Sequence, residues 1–274
     1  MRKAARRTLF LILAASFSLD AAAMDCQARL SEWLHVAYPD AVRDTDSIGD
    51  LLSIDGARPR VIRPNLAVCK VWPAAPEKML LVVRLGHPAA SDFDVDGETA
   101  DLEVLVADST SPRILQRYRE NRALQMQGSA IRISSVTIDT ARYRLNDSTT
   151  AFGVRIGYSG VSRASPYSRT VLNLYASDGK RLRPVLRKLE VALDRGDWDT
   201  QCAGEFESAQ RTIAIDGKRD HGYAGLVINS IEETRRNLPK GEECADVPGP
   251  KNKTSARLAF DGREYAVPAA WRGQ

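Results

Sequence analysis

Short runs of Val, Ile, Leu, Thr and Tyr recur from about residue 61, and they restrict the fold more than any other feature of the chain. Gly, Asp or Pro separates one run from the next. Residues of the first group favour extended strands, and the separating residues favour turns. The sequence therefore predicts a mainly β protein of repeated antiparallel meanders. The runs include KMLLVVRL, LEVLVAD, AIRISSVTI, TAFGVRIGY, RTVLNLYA and YAGLVI.

One short amphipathic helix is predicted ahead of these strands. Leu30, Trp33, Leu34 and Ala37 recur at the spacing that places side chains on one face of a helix. Pro39 then interrupts the pattern, because proline lacks the backbone N–H that would continue the helix. We expect this helix to pack its apolar face on the β structure.

Asp-Gly pairs recur along the chain and suggest a repeat. Asp and Gly accept the positive φ angles of tight hairpin turns, and the intervals between pairs are 41, 82, 38 and 45 residues. Asp139 divides the longest interval into 43 and 39, which gives a period near that of a four-stranded propeller blade. A β-sandwich is the alternative, because hairpins of any all-β protein can produce such spacing. The pairs lie at 55/56, 96/97, 178/179, 216/217 and 261/262.

The Ser-rich stretch SGVSRASPYS, from Ser159 to Ser168, is one candidate seam within the β structure. The polar stretch NDSTT, which ends at Thr150, is the other. It predicts an N-terminal β region with the short helix over residues 24–150 and a C-terminal β region over residues 151–274. One continuous domain is the alternative that the length of the chain also allows.

The first 23 residues have the layout of a secretory signal peptide. Four basic residues precede the apolar run LFLILAASFSL, and three alanines follow it. The run is shorter than a bilayer span, and no second apolar stretch could form one after the signal is removed. Removing residues 1–23 lowers the formal charge from +4 to +1. We therefore expect a periplasmic or secreted protein whose near-neutral charge gives no electrostatic reason to bind nucleic acid, since such binding needs clustered Lys and Arg to neutralise phosphates.

Four cysteines remain after this processing: Cys26, Cys69, Cys202 and Cys244. An even number without a C-x-x-C motif, in an exported protein, indicates two structural disulfides rather than redox chemistry or zinc. Three pairings are possible. We favour Cys26 with Cys69 and Cys202 with Cys244, because each pair closes a local loop of about 42 residues and contributes roughly 3 to 4 kcal/mol by chain entropy.

Six carboxylates follow one another in the stretch SDFDVDGETADLEV. The stretch matches the twelve-residue calcium loop D-x-D-x-D-G-x5-E, in which alternate side chains converge on one ion and Gly97 permits the sharp reversal. A solvated acidic turn is the alternative, although neighbouring carboxylates then repel one another. The candidate calcium ligands are Asp92, Asp94, Asp96, Glu98, Asp101 and Glu103.

Strand-like segments flank this loop, whereas an EF-hand would need helices. The unit therefore resembles the FG-GAP repeats of integrin-type β-propellers, which carry the calcium loop D-x-D-x-D-G-x-x-D-L-x-V between strands. This chain has one extra residue between Gly97 and Asp101, which leaves open whether Asp101 or Glu103 closes the ion's shell. The stretches SRASPYS and GDWDTQCAGEF also resemble exported proteobacterial proteins, and no activity follows from that likeness.

Catalytic motifs are incomplete. His35, His87 and His221 lack the spacing of a zinc site, and GYSGV, which contains Ser159, lacks one residue of a nucleophile elbow. Acidic residues surround Trp198, and paired carboxylates beside an aromatic ring are typical of sugar-cleaving sites. A loop fixed by a disulfide at Cys202 explains the same residues. The carboxylates concerned are Asp194, Asp197, Asp199 and Glu205.

These patterns together favour a non-enzymatic β-rich interaction or scaffolding module of the cell envelope, with an envelope protein or a glycan as its partner and calcium as a structural ion. One alternative is a cell-envelope hydrolase that uses the carboxylates near Trp198. Another is an inhibitor or immunity-like protein that binds a secreted enzyme. The sequence gives no means of separating an inhibitor from another binding module.

Overall fold

The computed structural model describes residues 26–273 except for 47–48, 58, 88–98, 127–129, 178 and 180. The predicted helix is present as α1, Leu30–Ala37, and its four apolar residues are buried. Two short 3₁₀ helices lie at Pro64–Leu66 and Ala269–Trp271. Within the described residues, none of the helices has the length and apolarity that crossing a membrane requires.

The first sheet contains seven strands, and all its paired strands are antiparallel. Its main path runs in the order β1-β2-β3-β5-β6-β7, and β4 pairs with β5 beside that path. The strands are β1 Val42–Asp46, β2 Gly49–Ile54, β3 Arg60–Ile62, β4 Val68–Val71, β5 Lys78–Gly86, β6 Thr99–Asp108 and β7 Ile114–Gln125.

The second sheet also contains seven strands, and each strand pairs with its neighbours in the chain. This simple antiparallel meander confirms the predicted fold class. The strands are β8 Ile131–Arg144, β9 Thr150–Gly160, β10 Tyr167–Ser177, β11 Leu182–Trp198, β12 Gly204–Asp220, β13 Tyr223–Lys240 and β14 Glu243–Leu258.

The two sheets share one buried core. Leu102, Val104 and Val106 alternate along β6, so all three lie on the face that contacts the second sheet. They form one cluster with Phe152 and Val154 of β9. The packing is sandwich-like, and the described strands form two seven-stranded sheets rather than the four-stranded blades of the propeller alternative.

Further layers cover the outer faces of both sheets. On the first sheet, Trp33 and Leu34 of α1 pack with Leu105 of β6, so β6 is buried on both faces. On the second sheet, a cluster that includes Phe260 and Trp271 brings the C-terminal segment onto the ends of β13 and β14. A strand covered on both sides explains why β6 is apolar at most positions.

Both predicted disulfides are present. Cys26 is bonded to Cys69, with 43 residues of sequence separation, and ties the region of α1 to β4. Cys202 is bonded to Cys244, with a separation of 42 residues, and joins the β11–β12 turn to the start of β14. Disulfides of this kind are typical of proteins from an oxidising compartment.

The Asp-Gly pairs mark turns at some positions only. Gly56 and Gly262 lie outside strands with φ of 135° and 97°, as a tight turn requires. The prediction is wrong at 216/217, which lies inside β12 at a register shift. The hairpin instead turns at His221 and Gly222, both with positive φ.

The candidate seam at Thr150 lies inside the second sheet, because Thr150 is the first residue of β9. The chain passes from the first sheet to the second between residues 125 and 131.

Candidate functional site

The predicted calcium loop falls largely outside the described residues. Asp92, Asp94, Asp96 and Glu98 all lie in the range 88–98, so the calcium site stays a prediction. Asp101 and Glu103 are described and lie in β6, with both side chains fully buried. Among the described residues, no group of three or more His, Cys, Asp or Glu side chains is arranged to hold a metal ion.

Asp101 is held by three donors from separate parts of the first sheet. Arg60 Nε donates to Oδ2 at 2.9 Å, and Oδ1 contacts His87 Nε2 and the Arg122 backbone N–H, each at 2.9 Å. Burial raises the pKa of Asp101, but the hydrogen bonds from Arg122, His87 and Arg60 outweigh burial and hold the pKa below its ordinary value. The sequence did not reveal this arrangement, because Arg60 is 41 residues away.

Glu103 is bound in the same buried layer, beneath α1. Arg119 Nε donates to Oε1 at 2.9 Å, Arg117 Nη1 lies 3.5 Å from Oε2, and the Tyr38 hydroxyl donates to Oε2. Burial and the adjacent Glu103 carboxylate raise the pKa of Tyr38, so its hydroxyl stays protonated as a donor. Asp101 and Glu103 therefore act here as structural carboxylates that join strands and α1.

The candidate catalytic residues do not converge. His35 is exposed on α1, His87 binds Asp101 in the first sheet, and His221 contacts the Phe260 carbonyl at a turn of the second sheet. Ser159 lies within β9 and faces Arg132 and Ser168 on the neighbouring strands. This setting is a continuous antiparallel ladder, whereas a nucleophile elbow needs a strand-turn-helix connection.

The carboxylates near Trp198 separate into different roles. Asp199 accepts hydrogen bonds from the backbone N–H groups of Gln201 at 2.8 Å and Cys202 at 2.7 Å, which lower its pKa. It therefore fixes the turn beside the disulfide. Asp197 lies directly opposite Glu205 in the β11–β12 ladder. Because neighbouring strand residues point to opposite faces, Asp197 and Trp198 are on different sides of the sheet.

Parts of four strands of the second sheet extend beyond the buried core, and we call this region the arm. The arm consists of residues 194–208 and 232–253, which are segments of β11 to β14 with the β11–β12 and β13–β14 turns. All of its residues are described, and none belongs to the three buried apolar clusters. Its strands remain paired with one another, and the disulfide Cys202–Cys244 joins the β11–β12 turn to the start of β14. The arm is therefore an ordered piece of sheet with both faces in solvent.

The outer edge of the arm is poorly suited to adding another strand. β14 is the last strand of the sheet and carries Pro248 and Pro250, which have no backbone N–H to donate. A register shift also interrupts the β13–β14 ladder between Glu233 and Arg235. Prolines and bulges at an edge oppose edge-to-edge pairing. Recognition by the arm would therefore use its faces.

One face of the arm carries two aromatic rings, tilted by 50° relative to one another, and a guanidinium group. The Trp198 and Phe206 ring centroids are 6.5 Å apart, and Arg235 Cζ lies 4.2 Å from the Phe206 centroid. Gly196 makes room for this stack, since a Cβ there would lie 2.4 Å from Phe206 Cδ1. Trp198 Nε1 donates to the Arg163 carbonyl at 2.7 Å and anchors the outer ring. We call this set the aromatic stack.

A groove of about 510 Å³ lies against the aromatic stack. Both acidic and basic side chains line its walls. Among them, Arg235 Nη1 lies 3.7 Å from Asp246 Oδ1 on the neighbouring strand. Sequence reasoning identified Trp198 and its carboxylates but missed the contributions of Phe206 and Arg235, which come from other strands. The lining includes Tyr167, Asp194, Phe206, Glu233, Arg235 and Pro248.

Comparison of the whole chain with protein-family models, with curated proteins and with solved structures found no match. The arm, with its aromatic stack and groove, is therefore the candidate site on the strength of its own geometry.

Proposed function

We propose that this protein is an exported, non-enzymatic module that binds another protein through the arm. The observation that carries the proposal is the contrast within the second sheet. One half of its long strands is covered by buried clusters, while the other half keeps its order with both faces in solvent. Ordered strands that the core does not need are well suited to recognition.

The residues of the aromatic stack favour a protein partner over a glycan. Aromatic residues and arginine are enriched in protein interfaces, where Trp, Tyr and Arg supply much of the binding free energy. Gly196 and Arg235 lie close to the Phe206 ring, which leaves that ring little room to stack on a sugar. An enzyme as the partner would make the protein an inhibitor.

Export to the periplasm or the medium is part of this proposal. Residues 1–23 have the composition of a signal peptide, and the two disulfides suit an oxidising compartment. N-terminal sequencing of the protein from the producing cells would test it. Mature protein that begins near residue 24 supports export, and intact protein that retains residues 1–23 in the cytoplasm contradicts it.

Calcium is a separate part of the proposal, because its candidate ligands lie outside the arm. They are Asp92, Asp94, Asp96, Glu98, Asp101 and Glu103. A ligand that binds only the native state raises the unfolding temperature. Thermal unfolding with calcium and with a chelator should therefore differ for the wild-type protein, and the difference should disappear in Asp94→Ala. Identical curves for the wild-type protein would remove the ion from the proposal.

The binding function is tested by affinity capture with matched variants. Immobilised wild-type protein, Phe206→Ala, Arg235→Ala and the control Arg132→Ala are exposed to envelope extract, and the retained proteins are quantified by mass spectrometry. Arg132 is an exposed residue of β8, outside the arm. We expect a partner that is retained by the wild-type and control proteins and is at least tenfold depleted on both arm variants. Equal retention by all four proteins would contradict the proposal.

A further inference from the structure

The arm has a second face, opposite the aromatic stack, with a different character. One transverse row of residues crosses the four strands, because each member lies opposite the next on the neighbouring strand. The row consists of Asp197, Glu205, Arg236 and Val247. All four residues are exposed. Leu238, two residues beyond Arg236, lies on the same face.

This row contains a charge that the arm does not balance. Asp197 and Glu205 are directly opposite one another, and like charges in that position destabilise a sheet. Arg236 Nε lies 3.0 Å from Glu205 Oε1 and neutralises that carboxylate. Asp197 makes no ion pair with any described residue of the chain. The row therefore presents one carboxylate that a cation from outside could satisfy.

The same face exposes two large apolar side chains. Leu238 is 47% exposed and Val247 is 41% exposed, although both lie in well-paired strands. Covering them would contribute free energy in proportion to the apolar area removed from water. The arm as a whole carries ten carboxylates and six Lys or Arg residues, whereas residues 24–274 together have a formal charge of +1. Apolar contact and a cationic partner are thus both favoured here.

We infer that this face of the arm binds a cationic polypeptide segment. A Lys or Arg of the partner pairs with Asp197 on β11. The segment crosses the strands, and apolar side chains farther along it cover Leu238 on β13 and Val247 on β14. This inference rests on the proposed binding function and adds the chemical class of the partner. Anionic lipid is disfavoured as the occupant by the net negative charge of the arm.

The first test needs no partner. If Asp197 is held in unfavourable proximity to Glu205, Asp197→Asn should raise the unfolding temperature of the free protein by about 1 °C. Asp40→Asn makes the same change of charge at an exposed position outside the arm, and it should leave the temperature unchanged. A lower unfolding temperature for Asp197→Asn would overturn the inference.

The second test measures binding with defined probes. A labelled twelve-residue peptide of alternating Lys and Leu is titrated by fluorescence anisotropy, and a peptide of alternating Glu and Leu is the control. We expect the Lys-Leu peptide to bind the wild-type protein and Asp40→Asn alike, and to bind Asp197→Asn and Leu238→Ser at least tenfold more weakly. Leu115→Ser alters an exposed leucine of β7 and should bind as the wild-type protein does.

Equal affinity for the two peptides, or an equal loss in the arm variants and their controls, would overturn the inference. The proposed binding function can fail separately, because its test is the loss of a captured protein on Phe206→Ala and Arg235→Ala. If that loss occurs while Asp197→Asn captures the partner normally, the arm binds a protein and the cationic class is wrong.

Discussion

The carboxylates of β6 and those of the arm use the same chemistry to different ends. Glu103 is fully buried and joins Arg119, Arg117 and Tyr38 beneath α1. Glu205 on the arm also pairs with an arginine, but its side chain is 73% exposed. A buried charge that loses its partner carries a large desolvation cost, whereas a solvated pair contributes little. Charges in β6 therefore stabilise the fold, and charges on the arm remain available to a partner.

The largest effect should come from removing the buried member of this comparison. Glu103→Ala leaves the Tyr38 hydroxyl and Arg119 Nε without their acceptor and removes the ion pair to Arg117, so we expect the free energy of unfolding to fall by about 3 kcal/mol. The control Glu205→Ala should change it by no more than about 0.5 kcal/mol. Urea unfolding monitored by circular dichroism measures both. Losses of equal size would end the distinction between the two regions.

A smaller loss of stability is expected from removing the hydrogen bond between Tyr38, which directly follows α1, and Glu103 of β6. Tyr38→Phe removes the donor but keeps the ring, and should lower the free energy of unfolding by about 1.5 kcal/mol. A double-mutant cycle with Glu103→Gln measures the coupling between the two side chains. Strict additivity of the two losses would show that the hydroxyl and the carboxylate do not interact.

The dependence of stability on pH further tests the contribution of the buried carboxylates of β6. The folded-state pKa of Asp101 lies below its ordinary value of 3.8, so its contribution to stability is fully present above that value. The contribution is lost as the pH falls through the lower folded-state pKa. Asp101→Asn should therefore unfold with a weaker dependence on pH below about 4. Unfolding curves between neutral and acidic pH test this, and parallel curves for the two proteins would contradict it.

The smallest effect is expected for an ion pair of the arm. Arg195 Nη2 lies 2.6 Å from Glu207 Oε2, but both side chains are more than half exposed. Arg195→Ala should therefore change the free energy of unfolding by less than about 0.5 kcal/mol. Urea unfolding checks this value, and a loss above about 1 kcal/mol would show that the arm depends on its surface pairs.

Local patterns in the sequence predicted the helix, the strand-rich fold and both disulfides. They succeeded where neighbouring residues carry the information, as in the helical spacing of Leu30, Trp33 and Leu34. They failed at Asp216 and Gly217, where the second sheet continues through a pair that is typical of turns. There, Asp216 binds Arg257 of β14, so a contact distant in sequence overrides the local preference.

Local patterns were equally limited in predicting the buried charges of β6 and the arm. Leu102, Val104 and Val106 share one face of β6, but no pattern in the sequence predicted that Asp101 and Glu103 are buried on the other. The cations that make this burial possible come from other strands, and no local pattern signals them. Of the arm, the sequence predicted only the acidic residues near Trp198 and the disulfide beside them.

The sequence by itself determined the class of the fold, because strand propensity, turn residues and cysteine spacing act over short distances along the chain. Only the tertiary structure decided which charges are buried and which half of the long strands is left uncovered. The physical reason is that burial and ion pairing depend on which strands lie side by side. In this protein those neighbours bring together residues such as Arg60 and Asp101, or Phe206 and Arg235, from distant parts of the chain.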